Sequence, residues 1–303
     1  MDAQTLRALI GTAEHPEIVL RREYRATVAE VREACTSIHR LTRWFGAVGG
    51  APAAVGDHFT VQLGADGVAR GTVHTCDEHT LEVSWAVGAE PASMLSIEWR
   101  QAGAERVELV VRHRLAPPAE VPPVGGGWER ALADLVGALT EPPSTQTPGP
   151  ADMEAIGRWR TIASRPLEVA TVIDAGRDRV WAAVASAGGL RTWWWRHWSD
   201  VTIEADVTAG GDYRIEAPAA GIVLEGRYLE VEPEERLAFS WRWSDDSGTS
   251  VDEAVEIVLT DDGDGTRVAV RHTGPWTDDA PAASYRQGWL FTLGELAAVL
   301  AQS

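Results

Sequence analysis

His113, His272 and Tyr285 are the side chains in this sequence best suited to move a proton on a bound molecule. Each histidine ends a run of alternating apolar residues: Val107, Leu109, Val111 and His113 in one place, and Val268, Val270 and His272 in another. Alternate residues of a strand share a face, so both imidazoles point with the apolar side chains. An inward histidine could serve as general base for a cyclisation or aldol-type step, with Tyr285 or an inward arginine assisting. It could equally be a half-buried side chain held by a backbone partner. The occurrence of the same arrangement twice favours the second reading, because a catalytic group often persists in only one copy after duplication.

Other chemistries find less footing. All 27 basic residues are arginine, which removes Schiff-base lysines, phosphate-loop lysines and lysine general bases together. His74 and His79 flank Cys76, but no second cluster completes a metal site. The glycines of Val124-Gly125-Gly126-Gly127-Trp128 lack the dinucleotide fingerprint and read as a turn leading into a helix. No Gly-x-Ser-x-Gly elbow occurs, and neither Cys35 nor Cys76 has an evident histidine partner. No metal, nucleotide or other cofactor is expected.

Aromatic usage is skewed towards tryptophan, with 14 Trp against 4 Tyr and 4 Phe. Each indole offers a large rigid apolar face and one N–H, useful in a core and equally in an apolar pocket. The densest cluster is Trp193-Trp194-Trp195-Arg196-His197-Trp198. Consecutive helical residues point about 100° apart, so one buried stripe cannot accept all three leading indoles. At least one is expected to face a cavity mouth, the other half of the chain, or water. The first half has only Trp44-Phe45 at this place, so the readings are a specialised lid on the second half or packing between halves.

The elements that must position these residues occur twice. Leu41-Thr42-Arg43-Trp44 answers Leu190-Arg191-Thr192-Trp193, Ser84-Trp85 answers Ser240-Trp241, Arg112-His113 answers Arg271-His272, and Gly127-Trp128 answers Gly288-Trp289. The offset drifts from 149 to 161 residues without a change of order, the mark of a duplicated domain with loop insertions. The second copy reads as a strand over 165–174, an amphipathic helix from Arg177 through Val184 and a short helix from Gly188 to about Trp195. Period-two runs follow over 212–217, 222–231, 237–243, 254–260 and 266–272. A long helix from about Ala282 to Leu300 closes it, with Tyr285, Trp289, Leu293, Leu296 and Leu300 on one face. The first copy repeats the plan, with a strand over 17–27, two short helices over 30–45, five strands between His58 and Leu115 and a helix from about Trp128 to Leu139.

These patterns predict an α+β chain of two domains, residues 1–139 and 153–303, joined by a Pro-, Ser- and Thr-rich linker over 140–152. In each, a curved antiparallel sheet wrapped around a long C-terminal helix leaves a space that tryptophans either fill or line. A net charge of −18 argues against nucleic acid as a partner. No window approaches the roughly 18 apolar residues of a membrane span. Only two cysteines and no leader-like start point to a soluble cytoplasmic protein with no obligate protein partner.

The element order, with Trp241-Arg242-Trp243 following Glu230-Val231-Glu232-Pro233 and the closing Gly288-Trp289 helix, resembles the helix-grip proteins. These are the START-like or Bet v 1-like (SRPBCC) superfamily, and more narrowly the group related to the Hsp90 ATPase activator. The resemblance covers Leu167 to Leu300 well and Ile18 to Leu139 more weakly. A tandem, Trp-rich, Lys-free chain is similar to the di-domain proteins found beside enediyne polyketide genes of the dynemicin type. The resemblance implies an apolar cavity under the long helix, used by different members for lipids, hormones, polyketide intermediates or antibiotics. The expected ligand is accordingly an extended apolar small molecule, a polyene or polyketide intermediate, held by a carrier or self-resistance protein. The expected lining is Trp85, Trp99, His113 and Trp128 in one copy, and Trp181, Trp194, Trp241, Trp243, His272, Tyr285 and Trp289 in the other. Some members cyclise polyketides, which gives the alternative of an enzyme using an inward histidine. A protein-binding regulator is the third reading, although the Asn-rich segment of true Hsp90 co-chaperones does not appear here.

Overall fold

The computed structural model describes residues 5–63, 67–140 and 152–302. It divides into two compact units, one of residues 1–7 and 11–160 and one of residues 8–10 and 161–303. The expected linker lies, over 141–151, outside the described residues.

The first half opens with β1 (Leu6–Gly11), β2 (Pro16–Tyr24), α1 (Val28–Thr36) and α2 (Ile38–Leu41). A meander follows: β3 (Ala47–Gly49), β4 (His58–Gln62), β5 (Val68–Cys76), β6 (Thr80–Val87), β7 (Ser93–Gly103) and β8 (Arg106–Arg114). The helices α3 (Val121–Leu139) and α4 (Met153–Ser164) complete it. The sheet runs in the order β1-β2-β8-β7-β6-β5-β4-β3. Thr27 caps α1 in a reciprocal capping box with Glu30. Buried Trp128, Leu132 and Leu135 give α3 one apolar face, as the spacing predicts.

The helix α3 starts seven residues earlier than Trp128, and its glycines are helical rather than a turn. Pro122 and Pro123 fall in its first turn, where a missing N–H is harmless. A Cβ on Gly125 would come within 2.5 Å of the Trp159 ring, and one on Gly126 within 2.6 Å of the Ile156 side chain. The glycines therefore let α4, an unexpected helix, pack closely on α3.

The second half contains β9 (Leu167–Ile173), α5 (Arg177–Val184), α6 (Ala187–Trp193), β10 (Thr202–Ala205) and β11 (Asp212–Ala217). Next come β12 (Ile222–Glu232), β13 (Arg236–Asp245), the two-residue β14 (Gly248–Thr249), β15 (Glu253–Asp262), β16 (Gly265–Thr273) and α7 (Ala280–Leu300). The sheet order is β10-β11-β12-β13-β15-β16-β9, with β14 paired to β13. All described pairings are antiparallel. The helix α7 packs on β9, α5 and α6 through Trp289, Leu293, Leu296 and Leu300. No helix among the described residues is long and apolar enough to cross a membrane.

Candidate functional site

The strongest local coincidence of chemistry lies in the second unit, where α7 faces the start of β15 and the end of β16. Strand β13 contributes Trp241, Trp243 and Asp245, and directly opposite Trp241 stands Glu253, the first residue of β15. On the next strand His272 pairs with Val255. Helix α7 adds Tyr285 and Trp289, one turn apart on the same face. Around these residues is a cavity of about 580 Å³. Its wall includes Trp194, Trp195, Trp241, Trp243, Trp276, Tyr285 and Trp289, with Glu253 at depth and Asp245, Ser247, Ser284 and Gly288 towards solvent.

The aromatic wall is edge-to-face rather than sandwiched, as ring quadrupoles prefer. Trp194 meets Trp289 at 5.7 Å and 88°, Trp195 meets Trp243 at 5.6 Å and 85°, and Trp241 meets Tyr285 at 6.0 Å and 89° between centroids and planes. Two of these indoles reach the wall because the backbone leaves the helix. α6 ends at Trp193, Trp194 is extended (φ −70°, ψ 114°), and Trp195 has φ +50°. That left-handed conformation is uncommon for a bulky residue. The three leading indoles do not share one stripe: all are buried, Trp193 in the core with its N–H on the Ala183 carbonyl at 3.0 Å, whereas Trp194 and Trp195 line the cavity, one of the places expected for at least one of them.

Glu253 gathers the polar groups. Its Oε1 accepts from Trp276 Nε1 at 3.1 Å, and its Oε2 accepts from Tyr285 Oη at 3.0 Å and Ser250 Oγ at 3.1 Å. His272 Nδ1 accepts from Trp289 Nε1 at 3.4 Å, which places the ring hydrogen on Nε2. That Nε2 faces Glu253 Oε2 at 3.5 Å without making a hydrogen bond. Desolvation holds the His272 pKa below the ordinary histidine range against the opposing pull of Glu253, so the ring is neutral at pH 7. The Tyr285 hydroxyl is pushed well above its usual range by burial and by the same carboxylate. Two further polar atoms of wall residues, Trp194 Nε1 and Trp241 Nε1, are buried without hydrogen-bond partners.

The sequence-predicted lining is thus partly assembled. Trp194, Trp241, Trp243, Tyr285 and Trp289 meet at one cavity, whereas Trp181 is half-buried against the core and does not line it. His272 is fully buried one layer behind, ringed by Trp241, Tyr285 and Trp276 at 5.1, 4.5 and 5.3 Å. Glu253, Trp195 and Trp276 were not anticipated.

The first unit carries the same frame with different fittings. Trp85 pairs with Ser93 as Trp241 pairs with Glu253, and Trp44 donates to the Ala34 carbonyl as Trp193 does to Ala183. Phe45, at the place of Trp194, stacks on Trp128 at 5.3 Å and meets Trp85 at 5.8 Å. His113 is closed on both sides: Nδ1 accepts from Trp128 Nε1 at 3.1 Å and Nε2 meets Ser93 Oγ at 2.7 Å, while Ser93 donates to the Trp85 carbonyl at 2.9 Å. Trp99 is fully buried with its N–H on the Glu78 carbonyl at 2.7 Å. These four residues, expected to line a cavity, are engaged with one another or with backbone.

Burial depresses the His113 pKa from 6.5 to about 3. On acidification the unfolded chain therefore takes up this proton first. The stability contributed by the neutral ring is complete above about pH 6.5 and falls through the window down to about pH 3. Each pH unit in that window should remove about 1.4 kcal/mol on account of this side chain. Urea titrations at about pH 6 and pH 4 should show a steeper loss for the parent chain than for His113→Gln; parallel losses would contradict the assignment.

Residues 174–301 match the family model described as Activator of Hsp90 ATPase homolog 1-like protein. The chain has the helix-grip fold, in two copies. Among solved structures, CalU16 from Micromonospora echinospora is 29% identical, over 49% of this chain and 79% of that one, with a TM-score of 0.40. DynU16, described as a protein in the dynemicin biosynthetic locus, is 16% identical over 97% of both chains, with a TM-score of 0.39. The protein MLL2253 from Mesorhizobium loti is 22% identical over 46% of this chain and 98% of that one, with a TM-score of 0.40. No curated protein matches the sequence.

Proposed function

We propose that this helix-grip protein binds one extended, conjugated, largely apolar small molecule per chain, in the second unit, as a carrier or sequestering protein of secondary metabolism. The observation that carries the reading is the indole-walled cavity of about 580 Å³, within the size range of small-molecule sites. Apolar burial supplies affinity at about 25 cal/mol per Å² before ordering costs. Indole faces suit flat conjugated carbon. The sequence resemblance to di-domain proteins beside enediyne genes supports a polyene or polyketide intermediate. The first unit is the structural partner in this reading, since Phe45 packs between Trp85 and Trp128.

The cyclase alternative has less support. A general base needs to come within about 2.6–3.2 Å of the proton it takes, and His272 is fully buried behind Trp241 and Tyr285. The experiment is a titration with all-trans retinol, a linear conjugated polyene, read by tryptophan fluorescence and followed by mass spectrometry. Saturable quenching with retinol recovered unchanged is expected. Absence of quenching at micromolar ligand would refute binding, and a new product would favour the enzyme.

A further inference from the structure

Four glutamates are buried among the described residues: Glu17, Glu108, Glu253 and Glu256. Three are clasped by arginine: Glu17 by Arg112 and Arg114, Glu108 by Arg21 and Arg100, and Glu256 by Arg236. This is the usual condition for a carboxylate taken out of water. Glu253 is the exception. Its hydrogen-bond donors, Trp276, Tyr285 and Ser250, are all neutral, and its one ion-pair neighbour, His272, stands at 3.5 Å without a hydrogen bond. Oε1 receives a single donor and keeps an acceptor site free. This carboxylate also belongs to a cavity wall.

The rest of the wall points the same way. It holds a second carboxylate, Asp245, and no arginine or histidine. Six tryptophans and Tyr285 line the cavity with Glu253, and aromatic faces attract cations most strongly where water is excluded. In the first unit the equivalent position is Ser93, a neutral residue whose hydroxyl meets His113 Nε2 and donates to the Trp85 carbonyl. A chain of net charge −18 further raises the local concentration of cations.

We propose that the cavity selects a ligand bearing a protonated amine, which seats against Glu253 inside the aromatic box while its conjugated body lies along the remaining indoles. The proposal rests on the small-molecule reading above and narrows it: the amine supplies the positive charge that arginine supplies to the other three buried glutamates. Carboxylate and phosphate ligands are disfavoured by the same wall.

The test uses three probes of one skeleton, all-trans retinylamine, retinol and retinoic acid, titrated at pH 7 into the full chain and its variants by tryptophan fluorescence. The expected order is amine tighter than alcohol by about tenfold or more, and alcohol tighter than acid. The amine preference should persist in 0.5 M salt, because a buried charge is screened far less than the surface field. In Glu253→Gln the amine-to-alcohol ratio should fall to within about twofold. Glu253→Ser, which installs the residue found in the first unit, gives a second route to the same ratio should the first variant fold poorly. Equal affinities for amine and alcohol in the parent chain, a preference abolished by salt, or a preference surviving in both variants would each overturn the proposal while leaving small-molecule binding intact. Binding of none of the three would overturn both.

Discussion

Gly288→Phe is expected to weaken binding of conjugated ligands by about 10- to 100-fold while leaving the chain at least as stable as the parent. Gly288 lies at the exposed mouth of the cavity, and a Cβ placed there meets no atom within 4 Å. The added ring therefore takes space that a ligand needs, not space that the core needs. Inside α7 the change also removes a helix-weakening glycine, a gain of about 0.3 to 0.5 kcal/mol. Affinity and stability should move in opposite directions, which separates blockage from misfolding. Unchanged retinol affinity in a folded Gly288→Phe variant would show that ligand does not pass this mouth.

Trp193→Ala should destabilise the second unit by about 3–5 kcal/mol, a large part of the roughly 5–15 kcal/mol that holds a domain folded. The ring is 1% exposed, its N–H is satisfied by Ala183, and it backs the Trp194 ring at 5.1 Å. Removal leaves an indole-sized void together with an unpaired carbonyl. Trp44→Ala should do the same to the first unit, where the corresponding N–H bonds the Ala34 carbonyl. Urea denaturation reads both, with the half-buried Trp198 as a control whose removal should be mild. A loss below about 1 kcal/mol for Trp193→Ala would contradict the assigned core role.

Much of this architecture was legible in the chain because strands and long helices carry their own periods. Alternation placed Trp241 and His272 on the inward face, and helical spacing placed Tyr285 beside Trp289. What escaped was set by contacts distant in sequence. The glycines after Val124 read as a turn leading into a helix, yet α3 runs through them, and Gly125 and Gly126 make room for Trp159 and Ile156. The indole run Trp193 to Trp195 reads as helix, whereas the helix ends at Trp193 and Trp195 turns to φ +50°, which sets where each ring goes.

Glu253 was hidden for a further reason. Eight positions separate Trp85 from Ser93, but twelve separate Trp241 from Glu253. The extra residues form the hairpin that adds β14, and that hairpin supplies Asp245, Ser247, Gly248, Thr249 and Ser250 to the cavity rim. One insertion thus builds the rim and shifts the alignment that would have exposed a serine-to-glutamate difference. A charged residue after Val251-Asp252 otherwise reads as the solvated start of a strand. Comparison of the two copies by strand pairing, rather than by residue offset, is the signal that finds it.

In the function proposed above, the second copy holds the ligand, while Phe45, Trp85 and Trp128 of the first pack on one another. The stoichiometry of retinol binding to the full chain, measured by calorimetry and checked by native mass spectrometry, tests it most directly. One retinol per chain, bound more weakly in Gly288→Phe, is expected. Two per chain would mean that the Phe45, Trp85 and Trp128 cluster opens to ligand, and none would mean that the tryptophans of the second unit are core alone; either result would refute a single site in the second unit.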